Sequence, residues 1–139
     1  MVGIIIVSHG ELANGLVDAM QMITGSQEQV AAISLQESNA PEDLSVRINE
    51  ILPSIDNGDG VLIMVDLYGA TTFNASSRLY LELDRKIEIV TGANLPMLVE
   101  TVVFREGNDL KSVFDCAYQA GRDGIKTLPE SIKKKNTNT

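Results

Sequence analysis

Short apolar runs alternate along this chain with longer segments in which apolar residues recur at helical spacing. The run Ile4–Ser8 is almost wholly apolar, which is typical of a strand buried on both faces of a sheet. In the segment that follows, Leu12, Leu16 and Met20 are spaced as on one face of a helix. The predicted strands are Ile4–Ser8, Val30–Leu35, Val61–Val65 and Lys86–Thr91. The predicted helices are Glu11–Thr24, one that begins at Asn39-Ala40-Pro41, one capped by Thr71 or Thr72 that runs to about Leu83, one from Pro96 to about Phe104, and Asn108–Ala120.

Proline and glycine set the expected boundaries of several elements. Pro53 should end or kink the second helix, because proline lacks the amide that continues a helix. Asn57-Gly58-Asp59-Gly60 has the composition of a turn before the third strand. Gly124–Leu128 is expected to form a short final strand.

The alternation of strands and helices predicts an α/β fold with three layers. We expect a mainly parallel central sheet of order 2-1-3-4, with a short C-terminal fifth strand and helices on both faces. Residues 1–130 should form a single domain, and residues 131–139 a polar, disordered tail. In this order the first and third strands are neighbours, so His9 and Asp66, which follow them, should meet at one edge of the sheet.

The net charge and the cysteine content indicate which partners and which cellular compartment to expect. The formal net charge of the 139-residue chain is −8, although three of its eleven basic residues lie in the tail. Such an acidic body would repel phosphates, so we expect no nucleic-acid partner. The single cysteine, Cys116, excludes an internal disulfide and is predicted to be a small buried hydrophobe. With no signal-like N-terminal segment, the chain is expected to be cytoplasmic.

His9 is the only histidine and lies at the end of the first strand. In open α/β sheets, ligands and catalytic residues are found at the carboxyl ends of the strands. An imidazole there can be a nucleophile, a proton carrier or a metal ligand. If Asp66 accepts the proton of one ring nitrogen, the other is left as a lone pair that can attack phosphorus or carbon. One histidine and one distant cysteine do not make a usual zinc site, so we expect no metal and no other cofactor.

A transferred phosphoryl group would need hydrogen-bond donors near the histidine. Thr71 and Thr72 offer hydroxyls at the start of a helix, whose free amides favour anions. Gly10 and Gly69 would let the backbone approach closely. The plainer alternatives are that Asp66 caps its loop, that both threonines are only helix caps and that both glycines only serve turns.

Three segments resemble the IIA component of the mannose/fructose/sorbose-type bacterial sugar phosphotransferase system. They are Ser8-His9-Gly10, residues 65–75 (Val-Asp-Leu-Tyr-Gly-Ala-Thr-Thr-Phe-Asn-Ala) and residues 92–101 (Gly-Ala-Asn-Leu-Pro-Met-Leu-Val-Glu-Thr), and the likeness covers about residues 1–128. The resemblance implies that His9 is phosphorylated on Nε2 by the phosphocarrier HPr and passes the group to a IIB component. Membrane components IIC and IID would then be indirect partners.

The same resemblance implies roles for other residues. Asp66 would be the partner of His9, and Thr71 stands where the family usually has serine. We expect the phosphoryl group to be bound by Ser8, Gly10, Gly69, Thr71 and Thr72. The resemblance also implies a homodimer in which Gly124–Leu128 is a strand exchanged between subunits. The family commonly has Gly-Gly-Ser-Pro-Phe where this chain has Gly69-Ala70-Thr71-Thr72-Phe73.

Three alternative functions stay open at this point. One is a related phosphohistidine domain that serves a dihydroxyacetone kinase. Another is a receiver-like module phosphorylated on Asp66, although the first strand lacks the acid pair that would hold magnesium. The third is a regulatory binding module that has lost onward transfer.

Overall fold

The computed structural model describes residues 1–129 and 132, and their strands and helices alternate as the apolar pattern predicts. The strands are β1 (Gly3–His9), β2 (Val30–Leu35), β3 (Val61–Val65) and β4 (Ile87–Thr91). The helices are α1 (Leu12–Thr24), α2 (Pro41–Ile55), α3 (Thr71–Glu82), α4 (Leu95–Phe104) and α5 (Leu110–Asp123).

The four strands form one parallel sheet in the order β2-β1-β3-β4, as predicted. In the register of β1 and β3, Val7 lies opposite Val65. β3 ends at Val65, whereas β1 continues beside β2 for two more residues, so Asp66 leaves the sheet next to the last residues of β1. This register places His9 and Asp66 together although 57 positions separate them.

Two apolar clusters, one on each face of the sheet, confirm the three layers. Alternate strand residues such as Ile4 and Ile6 pack with α1, α4 and α5. The intervening residues Ile5 and Val7 pack with α2 and α3 on the other face. Because both faces are covered, β1 and β3 are apolar at nearly every position rather than at every second one.

The structure contradicts one expectation about helix ends and part of another. Pro53 neither ends nor breaks α2, which continues to Ile55. A proline so close to the end removes a single hydrogen bond, and the bond that closes the helix, from the Asp56 amide to the Leu52 carbonyl, is intact at 2.8 Å. Thr71 and Thr72 lie inside α3 rather than at its cap position, which is occupied by Ala70.

The predicted fifth strand is absent from the described residues. Gly124 is a turn residue, residues 125–127 have no regular structure, and Leu128 is helical. Instead α5 extends to Asp123, beyond the predicted end at Ala120. Of the predicted tail, residues 131 and 133–139 lie outside the described part.

Cys116 is only half-buried, so the prediction of a buried residue is wrong in degree. Its position in α5 lies beside the inward-facing Ala117 rather than on the inward face itself. Partial burial, with the nearby Glu100 carboxylate, raises the pKa of the Cys116 thiol, so it is uncharged at neutral pH.

Candidate functional site

His9 and Asp66 meet at the carboxyl edge of the sheet, where the strand order predicts them. His9 is the last residue of β1, and Asp66 directly follows β3. The backbone hydrogen bonding between β1 and β3 continues into the site, because the Asp66 amide donates to the Val7 carbonyl over 3.1 Å. The rigid centre of the sheet thus fixes both backbones.

Three hydrogen bonds converge on the Asp66 carboxylate. Its Oδ2 lies 2.8 Å from the ring Nδ1 of His9 and also accepts the His9 backbone amide at 2.8 Å. Its Oδ1 accepts the Thr72 hydroxyl at 2.7 Å. The His9 side chain is 47% exposed, whereas that of Asp66 is 10% exposed. A half-exposed ring is therefore held by a largely buried carboxylate.

The surroundings of Asp66 keep its carboxyl group ionised. Burial alone would raise its pKa, but the hydrogen bonds from the His9 amide, the His9 ring and the Thr72 hydroxyl together lower the pKa below its ordinary value. An ionised carboxylate only accepts hydrogen bonds, so Nδ1 of His9 is the donor. In the neutral ring the lone pair then lies on Nε2.

Ser8 and Gly10 flank His9 but are placed differently from one another. The Ser8 side chain is fully buried, and its hydroxyl accepts the Ala13 amide at 2.7 Å near the start of α1. Gly10 has φ of +54°, the left-handed region that favours glycine. A Cβ on Gly10 would meet no described atom within 4 Å, so within the described chain it is the positive φ that favours glycine.

The loop after Asp66 leads directly into α3. Gly69 has φ of +79°, in the left-handed region that favours glycine, and like Gly10 it has open space around it. Thr71 is the first residue of α3 and is half-buried. The first amides of a helix lack intrahelical partners, so this end of α3 presents free donors at the same sheet edge.

Two features of the site are not evident from the sequence. The Thr72 hydroxyl contacts Asp66, although it was expected to face a bound group. The exposed side chains Leu12, Leu67 and Tyr68 are 49%, 60% and 74% accessible and closely follow His9 or Asp66 in the chain. In the sequence, the only indication of this exposed surface was that apolar residues occur in the short segments next to His9 and Asp66.

Within residues 1–129 and 132, no cluster of three or more histidine, cysteine or acidic side chains could hold a metal ion. In the same residues, none of the helices combines the length and apolar character needed to cross a membrane.

Similar sequences place the chain in a family. Residues 3–118 match the family model described as "PTS system fructose IIA component". The chain is 34% identical to the mannose-specific EIIAB component of Escherichia coli strain K12 over 128 residues, which cover 91% of this chain but 39% of that protein. It is 26% identical to the fructose-specific EIIA component of Bacillus subtilis strain 168, covering 99% of this chain and 93% of that protein.

A solved structure agrees with this placement. The phosphotransferase system component EIIA from Streptococcus agalactiae superposes with a TM-score of 0.85 and 31% identity, covering 94% of this chain and 99% of that one. The chain has the order β2-β1-β3-β4, the His9–Asp66 pair and a family match over most of its length. It belongs to the mannose-type IIA family of the sugar phosphotransferase system.

Proposed function

We propose that the protein is a phosphocarrier in which His9 accepts a phosphoryl group from phospho-HPr and passes it to a IIB component. The observation that carries this proposal is the 2.8 Å hydrogen bond between His9 Nδ1 and Asp66, made by a ring that is still 47% exposed. A buried acceptor on one ring nitrogen and an accessible lone pair on the other are the two requirements of a nucleophilic histidine.

The transfer itself is one displacement at phosphorus. The Nε2 lone pair of His9 forms the new N–P bond while the bond from phosphorus to the donor atom breaks, and the donor keeps that electron pair. The ring becomes more positive as the bond forms, and the ionised Asp66 stabilises this charge through Nδ1–H. Onward transfer is the same displacement with Nε2 as the leaving atom.

The start of α3 is proposed to hold the oxygens of the phosphoryl group. The hydroxyl of Thr71 and the free amides of the first helical turn are the donors that an anion needs. Gly10 and Gly69 supply the left-handed turns that bring the backbone to this edge. Ser8 contributes by holding the start of α1, where its fully buried hydroxyl accepts the Ala13 amide.

The geometry favours His9 over Asp66 as the phosphoryl acceptor. Both carboxylate oxygens of Asp66 accept hydrogen bonds, and its side chain is 10% exposed. A receiver-like module would need this carboxylate accessible to its donor. The more exposed imidazole is the better-placed nucleophile.

The proposed partners act on the surface around His9. Exposed apolar side chains such as Leu67 and Tyr68 suit contact with a protein donor and acceptor, HPr and IIB, more than with a free sugar. The membrane components IIC and IID would be reached only through IIB.

We further propose that the protein acts in the cytoplasm as a homodimer. β4 lies at the edge of the four-stranded sheet, so one side of its backbone is open to another strand. Ile125 and Leu128 are 81% and 72% exposed in the single chain, as expected of residues that gain a partner. Sedimentation should give twice the mass of the chain, and a monomer at micromolar concentration would contradict the dimer.

Labelling with purified components tests the carrier function. Incubation with Enzyme I, HPr and phosphoenolpyruvate should add one phosphoryl group, in an adduct that is acid-labile and base-stable. His9→Ala should add none, whereas Asp109→Asn, which changes an exposed helix cap far along the chain, should label like the wild type. Labelling of His9→Ala, or a base-labile adduct, would refute the proposal. Added IIB should then remove the label; retention of the label would indicate a binding module that has lost transfer.

A further inference from the structure

One fully buried hydroxyl at the site belongs to Thr72, the second residue of α3. It donates to Oδ1 of Asp66 over 2.7 Å. The other carboxylate oxygen, Oδ2, receives both hydrogen bonds from His9. The two oxygens of one carboxylate therefore serve separate partners, the helix on one side and the histidine on the other.

We propose that Thr72 is a positioning residue for phosphoryl transfer, because its hydroxyl fixes the rotation of the Asp66 carboxylate that orients the His9 ring. This inference rests on the proposed function and adds a third member to the His9–Asp66 pair.

The freedom of a carboxylate is the physical reason that such a residue is needed. The terminal torsion of aspartate is broad and roughly two-fold, so hydrogen bonds at Oδ2 alone leave the group free to tilt. Thr72 is β-branched, helical and fully buried, which restricts its own rotamer. Its hydroxyl can therefore hold Oδ1 in a fixed direction, and Oδ2 then stays aligned with Nδ1.

The same contact sets what the Thr72 side chain can do. A threonine hydroxyl has one proton, and here that proton is donated to Asp66. The side chain thus acts on the phosphoryl group through Asp66 and His9, while Thr71 is left as the hydroxyl donor at the start of α3. Through Asp66, the contact also links the amino-terminal end of α3, which is proposed to bind the phosphoryl group, to His9.

Three variants test the positioning role. Thr72→Val removes the hydroxyl and keeps the shape, Thr72→Ser keeps the hydroxyl, and Thr101→Val is the matched control. Thr101 is also fully buried and helical, but its hydroxyl donates to the Met97 carbonyl away from the site. The readouts are the NMR titration of the Asp66 carboxyl carbon, the ring nitrogen shifts that report the His9 tautomer, and the initial rate of phosphoryl uptake.

Thr72→Val should raise the pKa of Asp66, move the His9 ring away from a single Nδ1–H tautomer and slow phosphoryl uptake about ten-fold, since one hydrogen bond to a charged group is lost. Thr72→Ser should stay within about two-fold of the wild type. Thr101→Val should change none of the three. A Thr72→Val protein with wild-type titration and tautomer would overturn the inference.

The two NMR readouts need no phosphoryl donor. A wild type that takes up no phosphoryl group would therefore refute the proposed function, while the link from Thr72 through Asp66 to His9 is still tested. If Thr72→Val does not fold, the wild type decides. Its Thr72 hydroxyl proton should exchange slowly and show scalar coupling to the Asp66 carboxyl carbon across the hydrogen bond, and a rapidly exchanging hydroxyl without this coupling would overturn the inference.

Discussion

At the end of β1, two hydrogen bonds from one residue meet on one carboxylate oxygen. The backbone amide and ring Nδ1 of His9 both lie 2.8 Å from Asp66 Oδ2. The amide fixes where the carboxylate lies relative to the strand, and the ring is then aligned by the same atom. This double contact couples the orientation of the nucleophile to the rigid sheet rather than to a surface loop.

Replacing Asp66 with asparagine should slow phosphoryl uptake by about 100-fold, because a neutral amide does not stabilise positive charge on the ring and does not enforce the Nδ1–H tautomer. The initial rate of labelling by phospho-HPr measures this effect. Asp109→Asn is the control, because Asp109 caps α5 and is remote from the site. A rate for Asp66→Asn within a few-fold of the wild type would show that the carboxylate has no part in the transfer.

Asp66 should also make stability depend on pH. Because its pKa is lowered in the folded state, the unfolded chain binds the proton more readily, so Asp66 stabilises the fold above its ordinary pKa of about 3.9. That contribution is lost as the pH falls through the folded-state pKa. Urea unfolding should give a wild type more stable than Asp66→Asn at pH 7, with a difference that shrinks in acid. A difference that is constant with pH would contradict the shift.

At the scale of elements, the turn between β1 and α1 requires glycine at position 10 for its backbone conformation rather than for lack of room for a side chain. Gly10 has φ of +54°, and its amide donates to the Leu35 carbonyl over 2.9 Å. Gly15, five residues on, lies within α1 and has equally open surroundings. Only Gly10 has a positive φ, whereas both glycines have room for a Cβ. Comparing the two therefore shows the effect of backbone conformation without a steric effect.

Alanine at these two glycines should have opposite effects on the free energy of unfolding. Gly10→Ala should destabilise by about 1–2 kcal/mol, because a Cβ disfavours the left-handed region. Gly15→Ala should stabilise by about 0.5–1 kcal/mol, because alanine is the better helix former. Chemical denaturation of both variants checks the signs, and equal changes in both would contradict this explanation of Gly10.

Predictability differs among the elements for physical reasons. The buried strands are marked by continuous apolar runs, and the helical segments between them require parallel pairing. The strand order and the contact of His9 with Asp66 follow from these two features. The Thr72 contact depends on the path of the loop between Asp66 and α3 and on the rotamer of one helical side chain, which no periodicity encodes. Residues 124–128 contain too few apolar positions to distinguish a strand from an irregular segment.

At the scale of the whole molecule, Arg105 joins elements at the edge of the sheet opposite to His9. This fully buried residue follows α4. Its guanidinium donates to the carbonyls of Val2, Glu28 and Gln29, at 3.1, 2.6 and 3.2 Å. These carbonyls directly precede β1 and β2, so one side chain links α4 to the amino ends of two neighbouring strands.

Arg105→Met should destabilise the protein by about 2–4 kcal/mol, because buried carbonyls lose their donors. The control is Arg78→Met, which removes an exposed ion pair with Glu82 and should change stability by less than about 0.5 kcal/mol. Urea unfolding measures both. Since Arg105 is remote from His9, folded Arg105→Met should label at the wild-type rate. Equal stability of the two variants would contradict the linking role.

The central claim is that Asp66 holds Nδ1 of His9 and leaves Nε2 to take the phosphoryl group. Nitrogen and phosphorus NMR of the phosphorylated protein, with nitrogen-15 in the His9 ring, tests it most directly. The predicted spectrum shows phosphorus coupled to Nε2, with Nδ1 still protonated. Phosphorus coupled to Nδ1, or a phosphoryl group on the Asp66 carboxylate, would contradict the claim.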